Sequence, residues 1–260
     1  MLLREPSGQA STSDPPCYPP LLPVKPTVDP RDRPAYTLAE AAAYARVRVP
    51  TAREWVLGRP ARASIGRQGA AAVIKPAATD PCLLSFSNLV ELFVLADLRR
   101  DHGVSLQRVR NALRYVKGTL GIEERPLIHA KFKTDGIDLF VEHLVGREGN
   151  TALVNASAHG QLGLREALEA RLERVEWDAH KIARRLFPFV RPEAAGQPRT
   201  IMIDPRMGFG RPVIADTGIR TNIIAERFRA GESPGELARD YNVDPSAIED
   251  ALRCEIPTAA

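Results

Sequence analysis

The chain has 260 residues, 44% of them hydrophobic, with a formal net charge of +4 and a pI near 9.1. That length supports two or three small domains with their own cores, while +4 says little about a polyanionic partner until the charges are placed. No apolar run approaches membrane-span length and the start MLLREPSGQA lacks a signal-peptide core, so a soluble, cytoplasmic protein with no membrane partner is expected.

Residues 1–35 are rich in proline, serine and charge and show neither helical nor strand periodicity, which predicts a disordered tail. The first folded unit is predicted over 36–120. Thr37 and Glu40 have the spacing of a capping box ahead of an alanine-rich helix. After a turn, Pro50 opens a second helix that Gly58 stops. Leu38, Ala42, Val49, Ala52 and Trp55 are spaced as a two-helix core, and Trp55 reads as packing. The arginine- and glycine-rich RPARASIGRQGAAAVIKP predicts a hairpin wing ending near Pro76. Helical spacing resumes at Ser87 with Leu89, Leu92, Phe93 and Ala96. After His102-Gly103, Ser105 caps a helix whose Leu106, Val109, Leu113 and Val116 face inward.

Over residues 126–200 the periodicity changes. IHAKFKTDGIDLFVEH predicts two strands around Asp135-Gly136, and LVNAS a further strand. An amphipathic helix follows, with Leu164, Leu168, Leu172 and Val175 on one face and Arg165, Glu169, Glu173 and Arg174 outward. RRLFPFV reads as a strand and Pro192 to Pro198 as a linker. This small α+β module is expected to space or dimerise the two ends, with a ligand pocket as the other reading.

Residues 201–256 carry two more helix starts. Ser233, Pro234 and Glu236 place a hydroxyl cap, a first-turn proline and a reciprocal carboxylate; Asp244-Pro245 repeats the signal, and Asn242 occupies the corner between them. Leu237, Tyr241, Val243 and Ile248 lock the pair, a helix-turn-helix pattern. GFGRP at 208–212 lacks the lysine and hydroxyl residue of a phosphate loop and reads as a glycine-dependent turn.

Charge divides the two helical pairs. Arg46, Arg48, Arg53, Arg59, Arg62, Arg67 and Lys75 cluster on the second helix and the wing, with Glu54 the single acid between residues 46 and 75. Cations there suit a duplex, where neutralised phosphates release counterions. Arg53 is placed for a groove or a phosphate, with Thr51 as a neighbouring donor. From 232 to 255, Glu232, Glu236, Asp240, Asp244, Glu249, Asp250 and Glu255 face only Arg239 and Arg253. Phosphates would repel such a face, so it is assigned to protein contact. Phe209, Arg211, Glu249, Asp250 and Arg253 are the candidates for contact with a partner or a second copy. Cys17, Cys82 and Cys254 have no zinc spacing, the five histidines are scattered, and no nucleophile–base motif stands out. No catalytic residue, metal or cofactor is therefore expected.

Two resemblances add to this reading. YTLAEAAAYARVRVPTAREWV with LSFSNLVELFVLADLRRDHGVSLQRVRNAL, about eighty residues in all, resembles the MerR-type winged helix-turn-helix. IDPRMGFGRPVIADTGIRTNIIAERFRAGESPGELARDYNVDPSAIEDAL is similar to the bacterial family catalogued as domain of unknown function 433. It departs from that family at Asp216, where glycine is expected, and at Arg220, often proline. The second resemblance implies a VapB-type antitoxin that binds a PIN-like ribonuclease toxin and represses their shared operon. The expected fold is therefore α+β, mainly α: an N-terminal MerR-like winged helix-turn-helix, a central α+β module and a C-terminal three-helix helix-turn-helix domain. The expected partners are double-stranded operator DNA, the toxin and a second copy in a homodimer, with the protein nucleoid-associated. The alternative is a MerR-like regulator with a small-molecule sensor and no toxin.

Overall fold

A computed structural model describes residues 28–59, 69, 71–100, 104–122, 125–145, 158–189 and 199–255. Its first elements are built by local chemistry. The short strand β1 (Tyr36–Thr37) runs into α1 (Leu38–Tyr44), where the Thr37 hydroxyl accepts from the Glu40 N–H and the Glu40 carboxylate accepts from the Thr37 N–H. The Arg46 N–H donates to the Ala43 carbonyl and the Val47 N–H to that of Ala42, closing a Schellman turn with Arg46 at φ 54°. Helix α2 (Val49–Leu57) begins with proline in its first turn and ends at Gly58, φ 75°. It buries Ala52, Trp55 and Val56, so Trp55 is core as its spacing predicts.

Most of the expected wing hairpin ending near Pro76 lies outside the described residues. The observed hairpin is β2 (Ala78–Thr79) with β3 (Cys82–Leu84), and β3 also pairs with β1 in a three-stranded antiparallel sheet. Residues 60–68, with Arg62 and Arg67, lie outside the described residues. Helices α3 (Phe86–Arg100) and α4 (Leu106–Leu120) follow, completing the expected order. Val109 and Val116 are buried and Leu113 half-buried, as their spacing predicts.

The hairpin expected at Asp135-Gly136 is not formed. Residues 132–136 make one turn of π-helix leading straight into α5 (Ile137–Val145). Ile137, Phe140, Val141 and Leu144 are buried at helical spacing between α4 and α6. Gly136 is needed there for room rather than for a reverse turn, since a Cβ would sit 2.9 Å from the Phe132 ring. Helix α6 (Ala158–Leu172) buries Leu164, Leu168 and Leu172 as predicted, whereas Val175 leaves that face and is buried in the strand β4 (Val175–Trp177). LVNAS and Pro192–Pro198 lie outside the described residues.

RRLFPF of the expected strand RRLFPFV falls in β5 (Ala183–Phe189), which joins β4, β6 (Ile201–Ile203) and β7 (Val213–Ile214) in one antiparallel sheet of order β4-β5-β6-β7, and Val190 lies outside the described residues. Strand alternation sends Ile201 and Ile203 into the main core and Met202 to the opposite face with Phe187 and Val213. This sheet takes two strands from either side of residue 200, so that boundary divides sequence rather than packing.

Helices α7 (Thr221–Arg229), α8 (Pro234–Tyr241) and α9 (Pro245–Glu255) complete the chain. Ser233 and Glu236 form the predicted reciprocal cap, and Asn242 takes the left-handed corner at φ 51°. Leu237 and Ile248 are fully buried across the turn. Asp216, standing where the family pattern has glycine, has φ 62°, and Arg220 has φ −73°, a value proline would share.

Candidate nucleic-acid and protein interfaces

The free side of α2 is read from what its core side excludes. With Ala52, Trp55 and Val56 turned inward, Val49, Arg53 and Leu57 recur at four-residue spacing on the solvent side, next to exposed Arg48. Thr51 is half-buried one turn from Arg48. Neither Arg48 nor Arg53 makes an ion pair among the described residues. A guanidinium flanked by two exposed aliphatic side chains offers a forked donor for guanine or phosphate and apolar contact for a thymine methyl.

The other predicted cations are dispersed. Arg46 stacks 4.7 Å above the Phe189 ring at the end of β5, a cation–π contact that turns it away from the free face of α2. Arg59, just beyond the Gly58 cap, is half-buried and already engaged by a neighbour. Lys75 is exposed, but it lines a separate cavity with α4. The structure thus brings together Arg48, Thr51 and Arg53. It also shows a basic stretch that the inward-facing spacing obscured: Arg108, Arg110, Arg114 and Lys117 lie on α4, with no acid between Ser105 and Gly121.

The second candidate face begins at the 204–212 loop. Asp204, almost fully buried, accepts from the Arg206 N–H at 2.9 Å and from Arg185 Nε at 3.0 Å, setting the exit from β6. Gly208, Phe209 and Gly210 have φ values of 55°, 56° and 74°. A Cβ at Gly208 would lie 2.8 Å from Val213, and one at Gly210 2.8 Å from the Tyr36 hydroxyl, so both positions demand glycine for space as well as conformation. The consequence is Phe209, 91% exposed and held in a left-handed conformation that a phenylalanine adopts only under constraint. It borders a cleft of about 360 Å³ walled by Pro30, Pro34, Tyr36, Phe86 and Pro205.

The constraint comes from the N-terminal unit. Tyr36 Oη donates to the Gly210 carbonyl at 2.6 Å, and Arg211 donates to Glu40 Oε1 at 2.6 Å while lying 5.8 Å over the Tyr36 ring. Burial pushes the Tyr36 phenol up and that of Tyr44 up to about 12. For Glu40, burial acts upward, but the Thr37 hydrogen bonds and Arg211 outweigh it and hold the carboxyl below its ordinary value. Arg211, expected at a partner contact, is thus occupied by an internal one.

On α9, Glu249 and Arg253 are exposed and lie 3.4 Å apart. Asp250 is buried beside Ala247, Ile248 and Ala251, 3.5 Å from Arg253, because it lies on the inner flank of the helix. Arg227 pairs with both Glu232 and Asp240 and lies 5.0 Å over the Tyr241 ring, absorbing part of the acidic excess. Among the described residues no three His, Cys, Asp or Glu side chains are grouped to hold a metal ion, and no helix is long and apolar enough to cross a membrane.

Comparison with known proteins matches both units. Residues 201–253 match the family model "Protein of unknown function (DUF433)", and residues 34–113 match "Putative DNA-binding HTH domain". Over 231 residues the chain is 29% identical to the protein named "Putative antitoxin VapB45" from Mycobacterium tuberculosis (strain ATCC 25618 / H37Rv), covering 85% of this chain and 93% of that one. The crystal structure of Rv2018 from Mycobacterium tuberculosis is 25% identical with a TM-score of 0.60, covering 85% of this chain and 98% of that one. The chain therefore joins an N-terminal helix-turn-helix domain to a C-terminal block of the DUF433 type, in a mainly α, α+β fold.

Proposed function

We propose that this chain is the antitoxin of a toxin–antitoxin pair, a binding protein rather than a catalyst, whose N-terminal helix-turn-helix grips operator DNA. The observation that carries the DNA half is the free face of α2, where Arg48 and Arg53 stand exposed and unpaired among the described residues inside a segment matching a DNA-binding family. The antitoxin half rests on likeness to a protein so named along 85% of the chain. In this reading residues 36–120 bind the operator as one half of a homodimer on a two-fold site, and residues 126–200 space or pair the protomers. Residues 201–256 face the PIN-like ribonuclease toxin, with Phe209 as the apolar anchor and Glu249 and Arg253 as polar neighbours. The protein then works in the cytoplasm at the nucleoid and represses its own operon.

Two measurements test the two halves separately. In gel-shift titrations with the upstream duplex, Arg53→Ala weakens binding about tenfold and lowers the salt slope by about one; an unchanged affinity and slope sinks the DNA assignment. Co-expression with the adjacent reading frame should yield a co-purifying complex and rescue growth, with Phe209→Ser losing both. A toxin still captured and neutralised by Phe209→Ser removes that residue from the interface.

A further inference from the structure

A cavity of about 500 Å³ opens between the segment following the wing region and helix α4, away from Arg48 and Arg53 on α2 and from Phe209. Val73, Lys75 and Pro76 form one wall, α4 the opposite one, and Arg125 with Asp32 closes the end. Its size is that of an ordinary small-molecule site.

The lining is strongly cationic: Lys75, Arg110, Arg114, Lys117 and Arg125 face two carboxylates, Asp32 and Glu91. Asp32 is already spent, pairing with Arg125 and accepting from the Ser87 hydroxyl at 2.8 Å. Arg110 is anchored to Gln107 Oε1 at 2.6 Å and to the Ala71 carbonyl, and its Nε is buried with no acceptor. Lys75, Arg114 and Lys117 are exposed and make no ion pair among the described residues. Arg110, Arg114 and Lys117 stand at i, i+4 and i+7 on α4, a spacing at which like charges repel along one helix face. An anion between them would relieve that cost.

The floor is Glu91 of α3, buried, with Oε2 accepting from Asn88 Nδ2 at 3.2 Å; Asn88 in turn donates to the Lys75 carbonyl at 2.8 Å. Burial pushes this carboxyl up to about 7, against the pull of Arg125. A carboxyl buried below exposed cations is out of reach of a duplex backbone, which lies across protruding charges. It is a good acceptor for a hydroxyl carried on a small anion.

We propose that this cavity binds a small hydroxylated polyanion, a sugar phosphate or a hydroxy-polycarboxylate in chemical class, gripped by Lys75, Arg114 and Lys117 with its hydroxyl on Glu91. The site is independent of the DNA and toxin readings above.

The test is calorimetric titration of the full chain with glucose 6-phosphate and with citrate at fixed ionic strength, sulfate serving as the anion without a carbon hydroxyl. At least one organic anion binds saturably at one per chain and more tightly than sulfate, and which of glucose 6-phosphate and citrate does so tells the two sources apart. Arg114→Ser/Lys117→Ser weakens that binding at least tenfold, and Glu91→Gln narrows the preference over sulfate, with the unliganded melting profile confirming that both variants fold. The proposal is overturned if neither organic anion saturates by about 10 mM, or if the double variant binds as the parent does. It is equally overturned if the double variant loses only duplex affinity, because the cations then serve DNA.

Discussion

The chain contains the same helical corner twice and gives it two electrostatic characters. In both corners a hydroxyl and a glutamate form a capping box, Thr37 with Glu40 and Ser233 with Glu236. Both close in a Schellman turn: the Val47 N–H reaches the Ala42 carbonyl at 2.9 Å and the Val243 N–H that of Ala238 at 3.0 Å. Both place one residue at positive φ, Arg46 at 54° and Asn242 at 51°, and both set proline at the start of the next helix. The second helices then diverge, α2 presenting Arg48 and Arg53 to solvent and α9 presenting Glu249 beside Arg253. Backbone chemistry makes the corner, while side-chain charge decides what can approach it.

The two units also differ in how a buried acid is kept, and the largest expected effect follows from that. Asp250 of α9 lies beside Arg253, whereas Glu91 behind the first unit has Asn88 and a carboxyl raised by burial to about 7. A folded-state value above the ordinary glutamate value contributes stability that is complete below the unfolded value and lost as pH rises through the folded one. Raising the pH from 5 to 8 should therefore destabilise the parent relative to Glu91→Gln by about 3 kcal/mol, read from urea melts; parallel pH profiles would show that Glu91 does not ionise in a buried site.

Charge reversal tests the division of labour most directly. Arg48→Glu/Arg53→Glu should weaken duplex binding about a hundredfold, while Arg253→Glu leaves it within about twofold, in gel shifts at low salt. Comparable losses from both would mean that the corners share the DNA. The contact joining the units comes next. Tyr36→Phe removes the buried hydroxyl that donates to Gly210 and leaves a carbonyl unsatisfied, which should cost about 1–2 kcal/mol and loosen the Phe209 loop in hydrogen exchange. The smallest effect separates the two corner residues: Asn242→Ala should cost about 1 kcal/mol and Asn242→Gly much less. Arg46→Gly gains conformational ease but loses the stacking on Phe189, so its cost should exceed that of Asn242→Gly.

Much of what neighbours along the chain control was legible in the sequence, although the β2–β3 hairpin and the left-handed corner at Arg46 were not. The caps at Thr37, Ser105 and Ser233, the corner at Asn242, the prolines opening helices and the buried stripe of Leu164, Leu168 and Leu172 depend on spacings of three or four residues. The division of charge between the two corners was legible for the same reason. What depended on distant partners was not. Asp135-Gly136 has the composition of a hairpin, yet burial of Ile137, Phe140 and Leu144 between α4 and α6 outweighs the local turn preference. The N-terminal cations form a single cluster along the chain. In space Arg46 is diverted to Phe189, Lys75 joins α4, and Arg48 with Arg53 remains on α2. Phe209 reads locally as one residue in a glycine turn; Tyr36 and Glu40, some 170 residues earlier, help fix the loop that holds it out to solvent. Spacing encodes a helix and its cap, but the direction in which a side chain finally points is set by elements that meet it only after folding.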